Sequence, residues 1–164
     1  MKIPALLLLT ILLNSCTPQA PVLPESTVIT DELAAQLRDM KEKYRPGLGE
    51  IMSGIQTHHA KLWFAGINEN WKLAEYEIKE IKERLQTAQD IETNRKETGE
   101  IPMIYGSIDS VLNTIHQKNV SAFKNSFKSL TNTCNSCHRS VNFEFNVVTI
   151  PAAPPVTNQS FKVK

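Results

Sequence analysis

The chain has 164 residues, enough for one domain built on one sizeable core. Its 18 Lys and Arg against 17 Asp and Glu leave a formal net charge of +1, which excludes the strongly basic faces that hold nucleic acid or other polyanions. With only three cysteines, each placed in a local sequence that gives it another use, no disulfide framework is indicated.

The first fifteen residues read as a targeting segment rather than as part of the fold. Lys2 supplies a minimal positive charge, and the apolar run from Ile3 to Leu13 is too short to span a bilayer as a helix. Leu13-Asn14-Ser15-Cys16 resembles a bacterial lipobox, in which cleavage leaves Cys16 as the acylated first residue. The plainer alternative is an ordinary signal peptide cut nearby, with Cys16 incidental. By resemblance to the lipoprotein sorting rule, Thr17 rather than Asp after the cysteine favours the outer membrane. Residues 16–30, with Pro18, Pro21 and Pro24, read as an extended tether, and 31–164 as the folded domain.

Thr30-Asp31-Glu32 has the character of a helix start, and Leu33, Leu37, Met40 and Tyr44 follow at helical spacing up to the break at Pro46-Gly47. A second helix is predicted from about Leu48 to Ile67, with Leu48, Ile51, Met52, Ile55, Leu62 and Gly66 on one face. After a short turn at 68–70, Trp71, Ala74, Ile78, Ile81, Leu85 and Ala88 mark a third helix, and so short a link implies antiparallel neighbours. The charges from Glu75 to Arg84, Glu77 among them, read as its solvated face. Residues 90–100 read as the longest loop. Pro102 suits the first turn of a fourth helix, striped by Ile104, Ile108, Val111, Leu112 and Ile115. Asn119 precedes a last helix from Val120 to about Ser140. The alternation in 142–147 reads as a strand, and Pro151, Pro154 and Pro155 make the rest an extended arm whose Phe143, Phe145, Val147 and Ile150 call for burial near the end of the last helix.

That last helix carries Cys134-Asn135-Ser136-Cys137-His138, the C-x-x-C-H spacing of covalent c-type haem attachment. Two thiols two residues apart can each form a thioether to one vinyl group of the same macrocycle, and the adjacent His138 supplies the proximal iron ligand. Phe123, Phe127, Leu130, Cys134 and His138 fall on one helix face, which brings apolar side chains and haem ligands to the same side of the core. Three plainer readings compete. A redox C-x-x-C belongs near a βαβ pattern, which is missing here. A structural zinc site needs four ligands, and there is no second cysteine pair. A simple disulfide gives His138 no role.

The pieces together resemble the cytochrome c′-like four-helix cytochromes, and more closely a less characterised group of exported bacterial c-type cytochromes. The resemblance rests on Met52-x-x-Ile55-Gln56-x-x-His59-Ala60-Lys61-Leu62-Trp63-Phe64-Ala65-Gly66, on Asn70-Trp71-x-Leu73-Ala74-x-Tyr76-Glu77, and on Phe123-x-x-x-Phe127-x-x-Leu130-Thr131 leading into the haem motif. It extends to a tail like Pro151 to Pro154 with Asn158-Gln159-x-Phe161. What it implies is an all-α antiparallel four-helix bundle, with an extra N-terminal helix, an extended C-terminal arm and one haem c on the last helix.

The expected function is electron transfer by a haem c protein of the bacterial cell envelope, lipid-anchored, facing the periplasm and exchanging electrons with other redox proteins there. The alternative is a five-coordinate haem that captures NO or CO on an open distal face. An enzyme would need acid–base groups over the iron, and only His58 and His59 offer themselves, so no enzymatic activity is expected. At 100° per residue, His59 lies roughly 30° from the centre of the apolar stripe of its helix and His58 roughly 75° away on the other flank. His59 is therefore the candidate sixth ligand, with a core histidine satisfied by a hydrogen bond as the alternative. His116 reads as a boundary residue, and Trp63 and Trp71 as core packing.

Overall fold

The computed structural model describes residues 25–163, with side chains from Thr30 onward. The targeting segment, Cys16 and the tether up to residue 24 lie outside the described residues. Every regular element among the described residues is helical and none is a strand, so the fold is all-α. The chain divides into two compact units, at residues 1–44 and 45–164.

The first unit contributes helix α1, Glu25–Tyr44. It starts five residues before the Thr30 cap expected from the sequence, so residues 25–30 are helical rather than part of a tether. No Gly or Pro interrupts 25–44. The helix stops before Arg45-Pro46, where the proline ring disfavours helical backbone at the preceding residue.

The second unit holds α2 (Leu48–Ile67), α3 (Trp71–Ile91), α4 (Lys96–Glu100), α5 (Pro102–His116) and α6 (Val120–Ser140). Helix α2 packs on α3, α3 on α5, α5 on α6 and α6 on α2. Local chemistry sets the boundaries. Asn70 accepts a hydrogen bond from Leu73 N at 3.3 Å, and Asn119 accepts one from Ala122 N at 2.9 Å, so each caps the helix that follows it. Pro102 takes the first turn of α5, where a missing N–H costs nothing. The segment expected as a long loop is shorter than that, because α3 continues to Ile91 and α4 occupies 96–100. The Thr98 hydroxyl ties the two together by donating to the Glu92 and Arg95 carbonyls.

The core lies inside the ring of four long helices. Leu62, Ile78, Val111, Phe123 and Phe127 are each fully buried, and burying a side chain of this size contributes about 1.5–3 kcal/mol. Gly66 is required by packing: a Cβ there would overlap the ring of Phe123, so only glycine lets α2 and α6 approach this closely. Trp63 stacks on Phe123 at 6.3 Å and tilts on Phe127 at 5.0 Å, while Trp71 meets Phe123 edge-on at 6.2 Å, the packing role expected of both.

After α6 the expected strand is replaced by a tight reversal. Asn142 takes the left-handed conformation with φ 65°. Phe143 N then bonds to His138 O at 2.7 Å and Asn142 N to Arg139 O at 3.3 Å, the paired bonds of a Schellman helix end. Asn146 N bonds back to Phe143 O at 2.9 Å, so 142–148 forms a strap folded against the last turn of α6. The burial expected for the arm is also corrected: Phe145 is 78% and Val147 65% exposed, whereas Phe161, further on, is buried against Phe64. A short alternating pattern cannot make a strand when an asparagine has already turned the chain and no partner strand exists among the described residues to satisfy its backbone.

Candidate functional site

A cavity of about 330 Å³ opens beside the C-terminal half of α6, within the size range of small-molecule and cofactor sites. Leu48, Ile55, Ile81, Leu85, Ile101 and Ile104 give it an apolar lining. Cys134, Cys137 and His138 of α6 line it, as do Met52, Gln56 and His59 of α2, Arg95 and Glu97 near α4, and Phe143, Asn146 and Val148 of the strap. The structure thus brings together four of the five residues singled out from the sequence. Cys16 lies outside the described residues.

Cys134 and Cys137 sit three residues apart on α6 and so share one helix face. Both are free. Burial, helped by the neighbouring Cys137, pushes the Cys134 thiol up to about 12, and burial followed by the Glu100 carboxylate raises Cys137. Both are therefore neutral thiols near neutral pH, unlike the low-pKa thiolate of a redox C-x-x-C pair.

His138 lies in the last turn of α6, and its Nδ1 is 2.6 Å from the Asn146 carbonyl oxygen. A carbonyl can only accept, so Nδ1 carries the proton, and the lone pair of the neutral ring is on Nε2. Asn135, inside the C-x-x-C-H motif, closes the strap from the other side. Its Nδ2 donates to Val148 O at 2.8 Å, and its Oδ1 accepts from Val148 N at 2.8 Å.

His59 is 5% exposed and borders the same cavity. Its Nε2 is 2.9 Å from Thr131 Oγ1, whose own proton goes to Phe127 O at 3.0 Å. The Thr131 hydroxyl therefore accepts, His59 carries its proton on Nε2, and the lone pair is on Nδ1. The ring also tilts against Phe127 at 4.4 Å. Burial holds the His59 imidazole down to about 4, so it is neutral near neutral pH. Its neighbour His58 is half-buried on the flank of α2, at the boundary its offset of roughly 75° implies, and faces α3. His58 Nδ1 lies 2.6 Å from the carboxylate of Glu77, which is 1% exposed, and Nε2 is 3.8 Å from Glu80. The reading of Glu77 as part of a solvated face is corrected by this pair. On α3 Lys79 and Glu83 do face water, but Arg84 is half-buried with its Nε enclosed, and Glu77 lies between α3 and α2, where His58 satisfies it. His116 stands away from the cavity with Nε2 3.7 Å from Glu75, in keeping with a boundary position.

Sequence reasoning missed Thr131, Asn135, Asn146, Glu77 and Arg95. Thr131 lies eight residues after Phe123 and four after Phe127, a spacing that alone places it on the haem-motif face. Asn146 acts through its backbone, which no side-chain pattern reveals.

Among the described residues no group of three or more His, Cys, Asp or Glu is arranged to hold a bare metal ion. The donor set of two adjacent thiols and one oriented imidazole on an apolar cavity fits a macrocycle joined through both sulfurs and ligated by His138. No helix among the described residues is long and apolar enough to cross a membrane. Compared with models of protein families, with curated proteins and with solved structures, the chain matches none.

Proposed function

We propose that the protein is a haem c electron-transfer protein of the bacterial cell envelope, held to the membrane by lipid on Cys16 and working with redox partners in the periplasm. On this reading α2, α3, α5 and α6 are the antiparallel four-helix bundle of a cytochrome c′-like protein, with one haem on its last helix. The observation that carries it is the convergence of Cys134, Cys137 and His138 on one apolar cavity, with His138 Nδ1 bonded to a carbonyl. The bound haem would supply one-electron redox chemistry; the chain fixes, orients and shields it. Cys134 and Cys137 hold its edge covalently, and His138 offers Nε2 to the iron. The aliphatic wall excludes water, and Arg95 stands at the cavity as a charge partner for propionate. His59 is proposed as the sixth ligand: on leaving Thr131 its proton would move to Nδ1, which would free the Nε2 lone pair for the iron. Transfer needs no acid–base residue and only a small, transient interface with a partner.

A second reading has its own support. The His59–Thr131 hydrogen bond already satisfies His59 Nε2, and if it persists the distal face is open to a diatomic gas. One experiment tests both. The protein is exported together with haem-maturation machinery, and wild type is compared with Cys134→Ser/Cys137→Ser on denaturing gels stained for haem. Stain in the wild type and its loss in the double variant is expected; equal stain overturns the assignment. The ferrous spectrum of the wild type then separates the two readings. Low spin, converted to high spin by His59→Ala, supports electron transfer through a bis-His haem. High spin with immediate CO binding supports the gas-binding module.

A further inference from the structure

The strap at 142–148 has a feature that neither attachment nor ligation requires. A side chain between the two cysteines grips the backbone that in turn grips the histidine. Asn135 holds both polar groups of Val148, each at 2.8 Å, and two residues earlier the Asn146 carbonyl meets His138 Nδ1 at 2.6 Å. On the opposite side, the Schellman turn fixes where the strap leaves α6, through Phe143 N on His138 O. The strap is thus pinned before and after Asn146, and its carbonyl is held on the imidazole. Packing adds little to this, since Phe145, although tilted against Phe143 at 5.3 Å, and Val147 are both largely exposed.

We infer that Asn135 is a positioning residue that holds the Asn146 carbonyl on His138 and thereby sets the basicity and orientation of the proximal imidazole. The inference rests on the reading of His138 as the haem ligand. A carbonyl acceptor on the far nitrogen of a ligating imidazole fixes its tautomer and strengthens it as a donor. A stronger donor favours ferric over ferrous iron, so this hydrogen bond lowers the reduction potential, and loosening the strap raises it. Asn135 acts on the ligand ring only through the two main-chain groups of Val148, and its own side chain is not part of the cavity lining.

The test uses the exported, haem-loaded protein and two substitutions that break the same clamp from opposite sides. Asn135→Ala removes both side-chain partners, and Val148→Pro removes the N–H that Asn135 accepts. Covalent haem is first quantified by the pyridine haemochrome spectrum. The reduction potential is then measured by spectroelectrochemistry, and exchange of the His138 Nδ1 proton by NMR. Both variants are expected to bind haem through two thioethers, to raise the potential, and to speed Nδ1 proton exchange about tenfold, the scale of one lost hydrogen bond. The double variant should shift no further than either single one, because both act on one clamp. Phe145→Ser, at the exposed tip of the strap, should leave both readouts as in wild type. Loaded variants with unchanged potential and exchange overturn the inference. So do shifts that add in the double variant, or a shift in Val148→Pro with none in Asn135→Ala. If Asn135→Ala does not fold, Val148→Pro decides by the same two readouts. A wild type without covalent haem overturns the functional reading itself, and this inference with it.

Discussion

Two histidines border one cavity, and their surroundings are opposite in kind. His138 stands in the capped last turn of α6, partly open to solvent, with Nδ1 on a main-chain carbonyl and Nε2 left for a ligand. His59 stands in the middle of α2, 5% exposed, packed on Phe127, with Nε2 given to the Thr131 hydroxyl. The difference shows that burial commits an imidazole's polar atoms to the core, whereas a place at a helix end leaves one nitrogen uncommitted. A buried imidazole must satisfy its polar atoms with whatever the packed core offers, or its desolvation is costly. An imidazole at a helix end can instead be held by a short strap and still present its lone pair. The region around His59 is stabilised by many contacts at once, while the region around His138 depends on a few hydrogen bonds in exposed backbone.

The contrast can be broken from the buried side first. His58→Ala leaves the Glu77 carboxylate buried without its partner at 2.6 Å, and removing one member of a buried pair costs about 3–5 kcal/mol. Urea unfolding should show that loss, and a variant within about 0.5 kcal/mol of wild type would mean that Glu77 finds another partner.

The next effect is a pH dependence. His59 is held down to about 4 in the folded protein against 6.5 when unfolded, so as pH falls the unfolded chain takes up the proton first. The stabilisation is complete above pH 6.5 and is lost as pH falls toward 4, a change of up to about 3 kcal/mol. The difference between wild type and His59→Gln in unfolding free energy, followed across that range, isolates it from other groups. A difference that does not change with pH would place His59 in water, with the same proton affinity folded and unfolded.

A smaller change sharpens the comparison at the hydrogen bond itself. Thr131→Val keeps the shape but strands the His59 Nε2–H, at a cost of about 1–3 kcal/mol when His59 stays where it is. Where the haem-loaded wild type is high-spin because Thr131 holds His59, the same substitution should raise the low-spin fraction, because it removes the competitor for His59; a high-spin spectrum unchanged from wild type would separate His59 from the iron. Smallest of all, Phe145→Ser on the exposed strap should alter stability by less than about 0.5 kcal/mol. A larger loss would mean that the tip of the strap is packed rather than solvated.

Much of the fold was legible because helical periodicity is a local property. The stripes through 48–67, 71–88, 102–116 and 120–140 fell on the observed helices, and Asn70, Pro102 and Asn119 marked the starts of the last three, since capping acts over three or four residues. Legibility failed where two elements had to be known at once. Glu77 looked like its charged neighbours on α3, and only the approach of α2 buried it against His58. The 142–147 alternation suggested a strand, and only the left-handed Asn142 and the lack of a partner strand ruled one out.

The candidate site divides in the same way. The sequence by itself determined the spacing of Cys134, Cys137 and His138, because the reach of two thiols and one imidazole along a helix depends on covalent geometry and the helical repeat. It also determined that His59 faces inward, by the same repeat. The tertiary structure alone decided what each histidine nitrogen meets. Thr131 lies 72 residues from His59, and the Asn146 carbonyl reaches His138 only because Asn135 and the Schellman turn fold the strap back. A hydrogen bond needs its two atoms within about 3 Å, and over such separations in sequence only the packing of whole elements fixes a distance that closely.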